Sequence, residues 1–208
     1  MKIITDIKPQ IKDKKRVSIF LDGNYFCGLD LITVCKNRLK IGQKISENDL
    51  VKIQKEGEFQ KAFDYSLNYI SKSIKTQKQV KDKLLLKGYL EEIVDGVIEK
   101  LKGYNFVNDD EYCKKYINTY KDKKGLKLIK LELLKKGVDK GVINENLALE
   151  NSQIEQAISL AKKYVKNKVL DKKNFAKCYN HLLSKGFTYD ESLNATKSVF
   201  NEDFEEDI

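Results

Sequence analysis

A short signal recurs along this chain at a fixed spacing of 49 residues. Lys-Gly followed by an apolar residue occurs at 87–89, 136–138 and 185–187. A period of this length is typical of helical repeat proteins, in which each copy is one supersecondary unit. Because such units stack on their neighbours, this spacing restricts the possible fold more than any other feature of the sequence.

Each copy of the signal is the expected end of a helix. In a Schellman motif, a glycine at C′ takes the left-handed conformation and an apolar residue at C″ packs back onto C3. With Gly88, Gly137 and Gly186 at C′, the residue at C3 is leucine in all three copies. The pattern therefore predicts a positive φ at these three glycines, since glycine enters that region at little cost.

The start of each capped helix is also predicted. Twelve residues before the glycines stand Thr76, Gly125 and Asn174, all residues that an N-cap favours or tolerates. Gln79 follows Thr76 at the spacing of a capping box. Each repeat is therefore expected to contain a three-turn helix with a defined start and end.

Apolar periodicity predicts one more helix on either side of each capped helix. The preceding helices are predicted at 62–71, 112–119 and 154–165, and the following helices at 91–101, 142–149 and 191–200. One such unit leaves an apolar face that its neighbour would cover. We therefore expect a mainly α protein, an elongated and curved array of three tandem three-helix repeats.

The amino-terminal part predicts a small α/β segment that contains a β-hairpin. Apolar and polar residues alternate over 16–21, and Asp-Gly at 22–23 is a strong hairpin turn signal. Residues 24–28 supply the return strand. Asp30 is expected to cap a short helix that runs through Leu39.

The next helix has its own start signal. Ser46 and Asp49 suit the N-cap and N3 positions, and Ile45 and Leu50 suit a hydrophobic staple. The predicted division of the chain is 1–58 for the α/β domain, 59–107, 108–152 and 153–201 for the three repeats, and 202–208 for an acidic tail.

The balance of charge indicates the class of partner. The chain has 40 basic and 31 acidic residues, which give a net charge of +9, and Arg16 and Arg38 are its only arginines. A basic surface attracts polyanions, above all nucleic acid or a nucleoprotein. Because lysine lacks the fork with which arginine reads bases, we expect binding without sequence reading. A lysine-rich composition that only aids solubility is the alternative.

No coherent set of catalytic residues is visible in the sequence. His181 is the only histidine and lies within a predicted helix, and no Cys-x-x-Cys pair supports a zinc site. The acidic run 109–111 suits a helix N-terminus better than a metal ion. We therefore expect a protein that is not an enzyme and holds neither cofactor nor metal.

The cysteines and the first residues indicate the compartment. Four scattered cysteines, at 27, 35, 113 and 178, are expected to be reduced thiols. No apolar run is long enough to span a bilayer, and residues 1–6 turn polar before a signal-peptide core forms. We expect a cytoplasmic monomer with no membrane partner.

Equivalent lysines of the first two repeats form the candidate binding surface. Lys78 and Lys81 correspond to Lys127 and Lys130, and the members of each pair share a helix face. Lysines of the preceding loops extend the set. We call the following residues the basic stripe: Lys72, Lys75, Lys78, Lys81, Lys123, Lys124, Lys127 and Lys130. Spacing alone supports a solvated helix face as well as a surface for a phosphate backbone or an acidic protein groove.

The order of several short motifs resembles that of the RecX family, bacterial regulators of the RecA recombinase. The motifs are Ser66-Leu67-Asn68-Tyr69-Ile70-Ser71, Thr76…Val80…Leu84…Lys87-Gly88-Tyr89, Asn108-Asp109-Asp110-Glu111-Tyr112, Lys124-Gly125…Lys136-Gly137-Val138 and Leu183…Lys185-Gly186-Phe187. The resemblance covers nearly the whole chain. The departures are Ser73, Lys75 and Lys127, where the family tends to have arginine, and Leu128, where it often has a basic residue.

The resemblance implies a non-enzymatic regulator that binds the helical groove of the RecA–single-stranded DNA filament. It would inhibit the ATPase, coprotease and strand-exchange activities there, and so act in DNA repair, DNA recombination and the SOS response. The alternative is a helical-repeat protein that binds single-stranded nucleic acid directly and without sequence specificity. In that case Tyr104, Tyr116 and Tyr120 would stack on bases beside the basic stripe.

Overall fold

The computed structural model describes residues 1–200, which group into two compact units. Unit 1 comprises Met1–Ser73 and Val80–Phe106, and unit 2 comprises Ile74–Gln79 and the described residues from Val107 onward. The predicted acidic tail, 202–208, lies outside the described residues. The sequence-based division into an α/β domain and three repeats stays a prediction.

Unit 1 begins with a four-stranded antiparallel sheet in the order β3-β2-β1-β4. The strands are β1 (Lys2–Pro9), β2 (Arg16–Leu21), β3 (Asn24–Asp30) and β4 (Lys44–Ile45). The predicted hairpin is confirmed as β2 and β3. Asp22 and Gly23 both have positive φ, 48° and 84°, as a type I′ turn requires.

Sequence reasoning missed the strands β1 and β4. The register of β1 against β2 shifts between Ile4 and Asp6, so the two-residue alternation that marks a strand is interrupted. Ile4 is fully buried, whereas Ile3 is exposed. β4 is only two residues long and carries no periodic signal.

Unit 1 continues with α1 (Leu31–Lys36), α2 (Glu47–Ser71), α3 (Gln77–Leu86) and α4 (Glu91–Gly103); the first three residues of α3 group with unit 2. The predicted end of α1 at Leu39 is wrong, because the helix stops at Lys36. Arg38 takes a left-handed φ of 50°, and the Leu39 N–H donates to the Val34 carbonyl at 3.0 Å. Leu39 therefore closes the helix as the buried residue after the cap.

Asp30 holds the N-cap position of α1 but makes no capping hydrogen bond, so that part of the prediction is wrong. Its carboxylate pairs with Lys61 of α2 instead. The start of α2 is confirmed, since Ser46 Oγ accepts the Asp49 N–H at 3.1 Å and the staple residues flanking it are buried. α2 then runs without a break past residue 58 and packs against α4.

Unit 2 contains two further sets of three helices. They are α5 (Asp109–Tyr120), α6 (Leu126–Lys135) and α7 (Lys140–Ala148), then α8 (Ile154–Val165), α9 (Lys172–Ser184) and α10 (Tyr189–Phe200). Each set buries its own apolar cluster, the first around Ile129 and Leu133 and the second around Cys178 and Leu182. The mainly α fold with three consecutive three-helix groups is thereby confirmed.

The three helix caps form as predicted. Gly88, Gly137 and Gly186 have φ values of 86°, 82° and 91°. The N–H of the residue after each glycine donates to the C3 leucine carbonyl, and the distances are 3.3 Å for Tyr89 to Leu84, 3.2 Å for Val138 to Leu133 and 3.3 Å for Phe187 to Leu182. These are the 6→1 bonds of the Schellman motif.

Two of the three predicted helix starts are confirmed. Thr76 Oγ1 accepts the Gln79 N–H at 3.2 Å while Gln79 Oε1 accepts the Thr76 N–H at 3.1 Å, which is a complete capping box. Gly125 is the N-cap of α6. The prediction of Asn174 is wrong: α9 begins one turn earlier, where the Asp171 carboxylate accepts the Asn174 N–H at 2.7 Å.

Within unit 2, the start of one capped helix rests on the cap of the next. The Thr76 hydroxyl donates to the Lys136 carbonyl at 2.7 Å, and 49 residues later the Gly125 N–H donates to the Lys185 carbonyl at 2.8 Å. A β-carbon on Gly125 would overlap with the backbone of Gly186. Glycine is therefore required at this N-cap because two backbones meet there.

A second contact repeats beside the first. The Gln77 N–H donates to Asp109 Oδ1 at 2.9 Å, and the Leu126 N–H donates to Gln153 Oε1 at 2.8 Å. Both donors lie in the first turn of a capped helix, where backbone N–H groups have no partner within the helix. The following three-helix group thus supplies the acceptors that the capped helix lacks.

We expect alanine substitutions of these glycines to differ in cost. Gly88→Ala should destabilise the protein by about 1 kcal/mol, the cost of a left-handed conformation, because a β-carbon meets nothing there. Gly186→Ala and Gly125→Ala should cost about 1–3 kcal/mol more, because each new β-carbon overlaps backbone atoms. Urea unfolding followed by circular dichroism measures the order. Gly103→Ala, at an open position with negative φ, is the control, and equal losses at Gly88 and Gly186 would contradict the docking geometry.

Candidate partner-binding surface

The residues of the basic stripe are distributed over both units. Unit 1 contains Lys72 and Lys81, and unit 2 contains Lys75, Lys78, Lys123, Lys124, Lys127 and Lys130. That the two sets form one surface stays a prediction. Within each unit, however, the structure gives every lysine a distinct environment.

Lys81 lies among acidic side chains of unit 1. Its Nζ is 2.7 Å from Asp95 Oδ1 on α4. The hydrogen bond and the charge of Asp95 raise the pKa of Lys81, and Glu91 and Asp82 add to the effect. The positive charge of Lys81 is therefore offset by its surroundings.

The side chain of Lys124 makes contacts within unit 2. Its Nζ lies 2.7 and 2.8 Å from the two oxygens of Glu132, and 4.3 Å from the ring centroid of Tyr120. The side chains of Lys124 and Glu132 are only 24% and 26% exposed. Lys124 therefore has a structural role at the start of α6.

The ammonium groups of Lys127 and Lys130 each contact a neutral group. Lys127 Nζ lies 5.1 Å from the ring centroid of Tyr189, and Lys130 Nζ is 2.7 Å from the amide oxygen of Asn144 on α7. Such contacts orient an ammonium group without cancelling its charge. Lys130 consequently keeps the electrostatic character that the sequence predicted, whereas the charge of Lys127 also acts on Glu191 and helps to lower the pKa of that carboxyl.

The remaining members of the stripe are at the edges of helices. Lys72 follows the last residue of α2 and is exposed, as is Lys123 in the turn before α6. Lys75 is half-buried. The stem of Lys78 covers Gly137, since a β-carbon on that glycine would overlap with it.

Two exposed leucines of α6 were missed by sequence reasoning. Leu131 is 55% exposed and Leu134 is 38% exposed. The buried side of α6 is already formed by Ile129 and Leu133, so both exposed leucines lie off the core stripe. Their position beside that stripe was the available signal, because helix periodicity distinguishes the two faces.

The tyrosines proposed for base stacking have different surroundings. The Tyr116 hydroxyl donates to Glu132 Oε2 at 2.8 Å, and burial together with that carboxylate raises the pKa of Tyr116. Tyr120 lies 4.5 Å from the Tyr116 ring and beneath Lys124. Tyr104 of unit 1 is exposed and lies 5.5 Å from the Phe106 ring, which is also exposed.

His181 has the environment of a packed side chain. Its ring stacks on Tyr164, with centroids 4.4 Å apart. Burial lowers the pKa of His181, and the nearby Lys185 and Lys168 lower it further. The imidazole is therefore neutral at physiological pH and packs between α8 and α9.

The acidic run at the start of α5 serves the helix, as expected. Asn108 Oδ1 accepts the N–H groups of Asp110 and Glu111 at 3.0 and 3.1 Å, so the N-cap is the residue before the acids. Asp109 accepts from Gln77, and Asp110 pairs with Lys114 at 2.6 Å. Within residues 1–200, no three His, Cys, Asp or Glu side chains gather as a metal site requires.

The four cysteines are free thiols, as predicted. Cys27, Cys113 and Cys178 are buried, and burial raises the pKa of the first two thiols to about 11. In the part of the chain that the structure describes, no helix is long and apolar enough to cross a bilayer.

A four-stranded sheet followed by three consecutive three-helix groups defines a helical-repeat protein with an α/β amino-terminal element. Two family models match these parts of the chain. The model of the regulatory protein RecX N-terminal domain matches residues 2–46, which span the sheet. The model of the first three-helix domain of RecX matches residues 62–101, from the second half of α2 into α4.

Comparison with known proteins extends the match to nearly full length. The regulatory protein RecX of Clostridium beijerinckii is 37% identical over 210 residues, which cover 98% of each chain. That of Clostridioides difficile is 36% identical over 196 residues, which cover 91% of this chain and 92% of the relative. The chain belongs to the RecX family.

Solved structures agree with this assignment. A crystal structure of a regulatory protein RecX is 27% identical and superposes with a TM-score of 0.66, covering 92% of this chain and 97% of that one. The crystal structure of RecX from Lactobacillus salivarius is 32% identical, with a TM-score of 0.63 over 68% of this chain and 96% of its own.

The Glu132 cluster predicts a pH dependence of stability. Burial raises the pKa of the Glu132 carboxyl, but hydrogen bonds from Lys124 and Tyr116 outweigh it, and the net pKa is lowered. This stabilisation is complete above the unfolded pKa of 4.5 and is lost as the pH falls through the folded pKa.

We therefore expect Glu132→Gln to lower the free energy of unfolding by about 1.5–3 kcal/mol at pH 7, as for a hydrogen bond to a charged group. The difference from the unaltered protein should shrink as the pH falls below 4.5. Urea unfolding at pH 7, 4.5 and 3 measures it. Glu155→Gln, at an exposed site on α8, is the control, and a constant difference across the three pH values would contradict the role of Glu132.

Proposed function

We propose that this protein regulates homologous recombination by binding the RecA–single-stranded DNA filament and inhibiting its ATPase, coprotease and strand-exchange activities. The carrying observation is the match to RecX proteins over 98% of both chains, which includes the sheet and all three helical groups. The relatives are named as regulatory proteins, and the proposal assigns that role to this chain.

The charge of the chain supports a polyanionic partner. The net charge is +9, and Lys130 keeps its charge beside a neutral partner. We propose that the basic stripe contacts the filament, although its members contribute unequally. The partner is an intracellular assembly, so we propose that the protein acts in the cytoplasm, as a monomer and without catalysis of its own.

Direct binding of single-stranded nucleic acid is the second candidate, and one observation favours it. Phe59, Phe63, Tyr104 and Phe106 form a row of rings in unit 1, with centroid separations of 5.5 to 6.5 Å between successive members. Lys100 Nζ lies 4.4 Å from the Phe63 centroid. Phe63 is buried, but Tyr104 and Phe106 are exposed, and exposed rings on a basic protein suit base stacking. Tyr116 and Tyr120, in contrast, are held by Glu132 and Lys124.

The ATPase activity of RecA on single-stranded DNA tests the proposed function. Substoichiometric amounts of the unaltered protein should lower the rate. The double reversal K81E/K130E should remove this effect, because it shifts the charge of the basic stripe by four units and like charges at an interface cost several kcal/mol. Its helical circular-dichroism signal should remain, and K162E/K163E on α8 is the control of equal net charge. Inhibition by the double reversal equal to that of the unaltered protein would contradict the proposal.

The salt dependence of binding separates the two candidate functions. Direct binding to naked strands should lose affinity steeply with salt, with a slope of about −0.7 per phosphate contact in a double-logarithmic plot. Filament binding should survive physiological salt, because contacts with protein contribute as well. Fluorescence anisotropy with naked and RecA-coated oligonucleotides measures both. Equal affinity for the two forms would favour the direct DNA-binding function over regulation.

A further inference from the structure

Equivalent lysines of the first and second three-helix groups differ in their local charge. Lys81 contacts Asp95 in unit 1, and Lys130, 49 residues later, contacts Asn144 in unit 2, with the same distance of 2.7 Å. The geometry of the contact is thus repeated while its charge is not. In unit 1 a carboxylate offsets the charge of the lysine, and in unit 2 an amide only orients it.

The other acids around Lys81 are replaced in the same way. Glu91 and Asp82 raise the pKa of Lys81 together with Asp95. The residues 49 positions after Glu91 and Asp82 are Lys140 and Leu131. A group of acids in the first repeat therefore corresponds to an amide, a cation and an exposed leucine in the second.

Nearby acids of unit 2 do not restore the neutralisation. Glu132, the next acid on α6, is bound by Lys124 and Tyr116. Glu145 follows Asn144 directly on α7, and consecutive helical residues do not share a face. The amide of Asn144 therefore holds the ammonium of Lys130 in place and leaves its charge available to an external anion.

The exposed face of α6 combines this charge with apolar surface. Lys127, Lys130, Leu131 and Leu134 follow the i, i+3, i+4, i+7 spacing of a single helix face. The phosphates that attract lysines in a nucleic acid offer no apolar partner for two exposed leucines. A protein surface that carries carboxylates beside apolar side chains offers partners for all four residues.

We propose that this α6 face is the docking surface for an acidic, partly apolar protein surface, and that Lys81 is excluded from it. The inference rests on the proposed function, since the recombinase protomers of the filament, and not its DNA, would supply the acidic surface. Lys127 and Lys130 bind carboxylates, Leu131 and Leu134 exclude water, and Asn144 is a positioning residue.

Matched neutralisations test the difference between the two lysines. K130Q and K81Q each remove one charge, and affinity is measured for RecA filaments at physiological salt. K130Q should weaken filament binding about fivefold and K81Q less than about twofold, as expected when only one of two charges faces the partner. Neither K130Q nor K81Q should change binding to a naked oligonucleotide, because the proposed surface contacts protein and not DNA.

Reciprocal changes of the two partners control for net charge. N144D gives Lys130 a carboxylate, as Lys81 already has, and should weaken filament binding about threefold through loss of charge complementarity. D95N removes the carboxylate that contacts Lys81 and should have no effect on filament binding. The double variant N144D/D95N has the net charge of the unaltered protein and should bind as weakly as N144D.

The leucine contact is tested separately. L131Q should weaken filament binding about threefold, as loss of a partly buried apolar contact predicts, and leave naked-strand binding unchanged. Equal effects of K130Q and K81Q on filaments, or recovery of affinity in N144D/D95N, would overturn the inference while the proposed function stands. If L131Q and K130Q lost binding to naked strands but kept binding to filaments, the α6 face would be a DNA surface and the inference would be overturned. No filament binding by the unaltered protein would overturn the proposed function and this surface together.

Discussion

The structure of unit 2 depends on a close contact between backbones, in which the start of a capped helix rests on the cap of the following helical group. The Gly125 N–H donates to the Lys185 carbonyl, and the Gly186 carbonyl accepts the Lys127 N–H at 3.2 Å. Since a side chain at Gly125 would overlap with that backbone, the contact defines where α6 begins and how it is held. The exposed face of α6 is consequently presented by a rigid element, as a binding surface requires.

Local signals made much of the fold predictable. Some elements depend on only a few consecutive residues and can therefore be recognised in the sequence. They are the glycine caps, the Thr76 capping box and the hairpin. Elements with interrupted or very short patterns were not predictable. β1 carries a register shift after Ile4, and the start of α9 at Asp171 lies one turn before the position that the 49-residue spacing suggests.

The candidate surface was predictable only as a set of lysines. Sequence spacing treats Lys81 and Lys130 as equivalent, because it records their helix positions and not their neighbours. Their partners lie 14 residues away on the next helix, and only the packed structure brings them together. The same holds for Lys124. Its contacts with Glu132 and Tyr120 form only because α5 packs against α6. The lysines of the basic stripe are equivalent in the sequence, but in the structure they differ in whether a carboxylate contacts the ammonium group.

The central claim is that α6 of this RecX-family protein contacts recombinase protein within the filament. Photo-crosslinking tests it most directly, with a photo-reactive amino acid in place of Leu131 and, as the matched position of the first repeat, in place of Asp82. RecA filaments on single-stranded DNA are irradiated with each protein, and the products are identified by mass spectrometry. We expect a crosslink from position 131 to an acidic surface of RecA and little from position 82. Crosslinks from position 131 to DNA only, or equal yields from both positions, would contradict it.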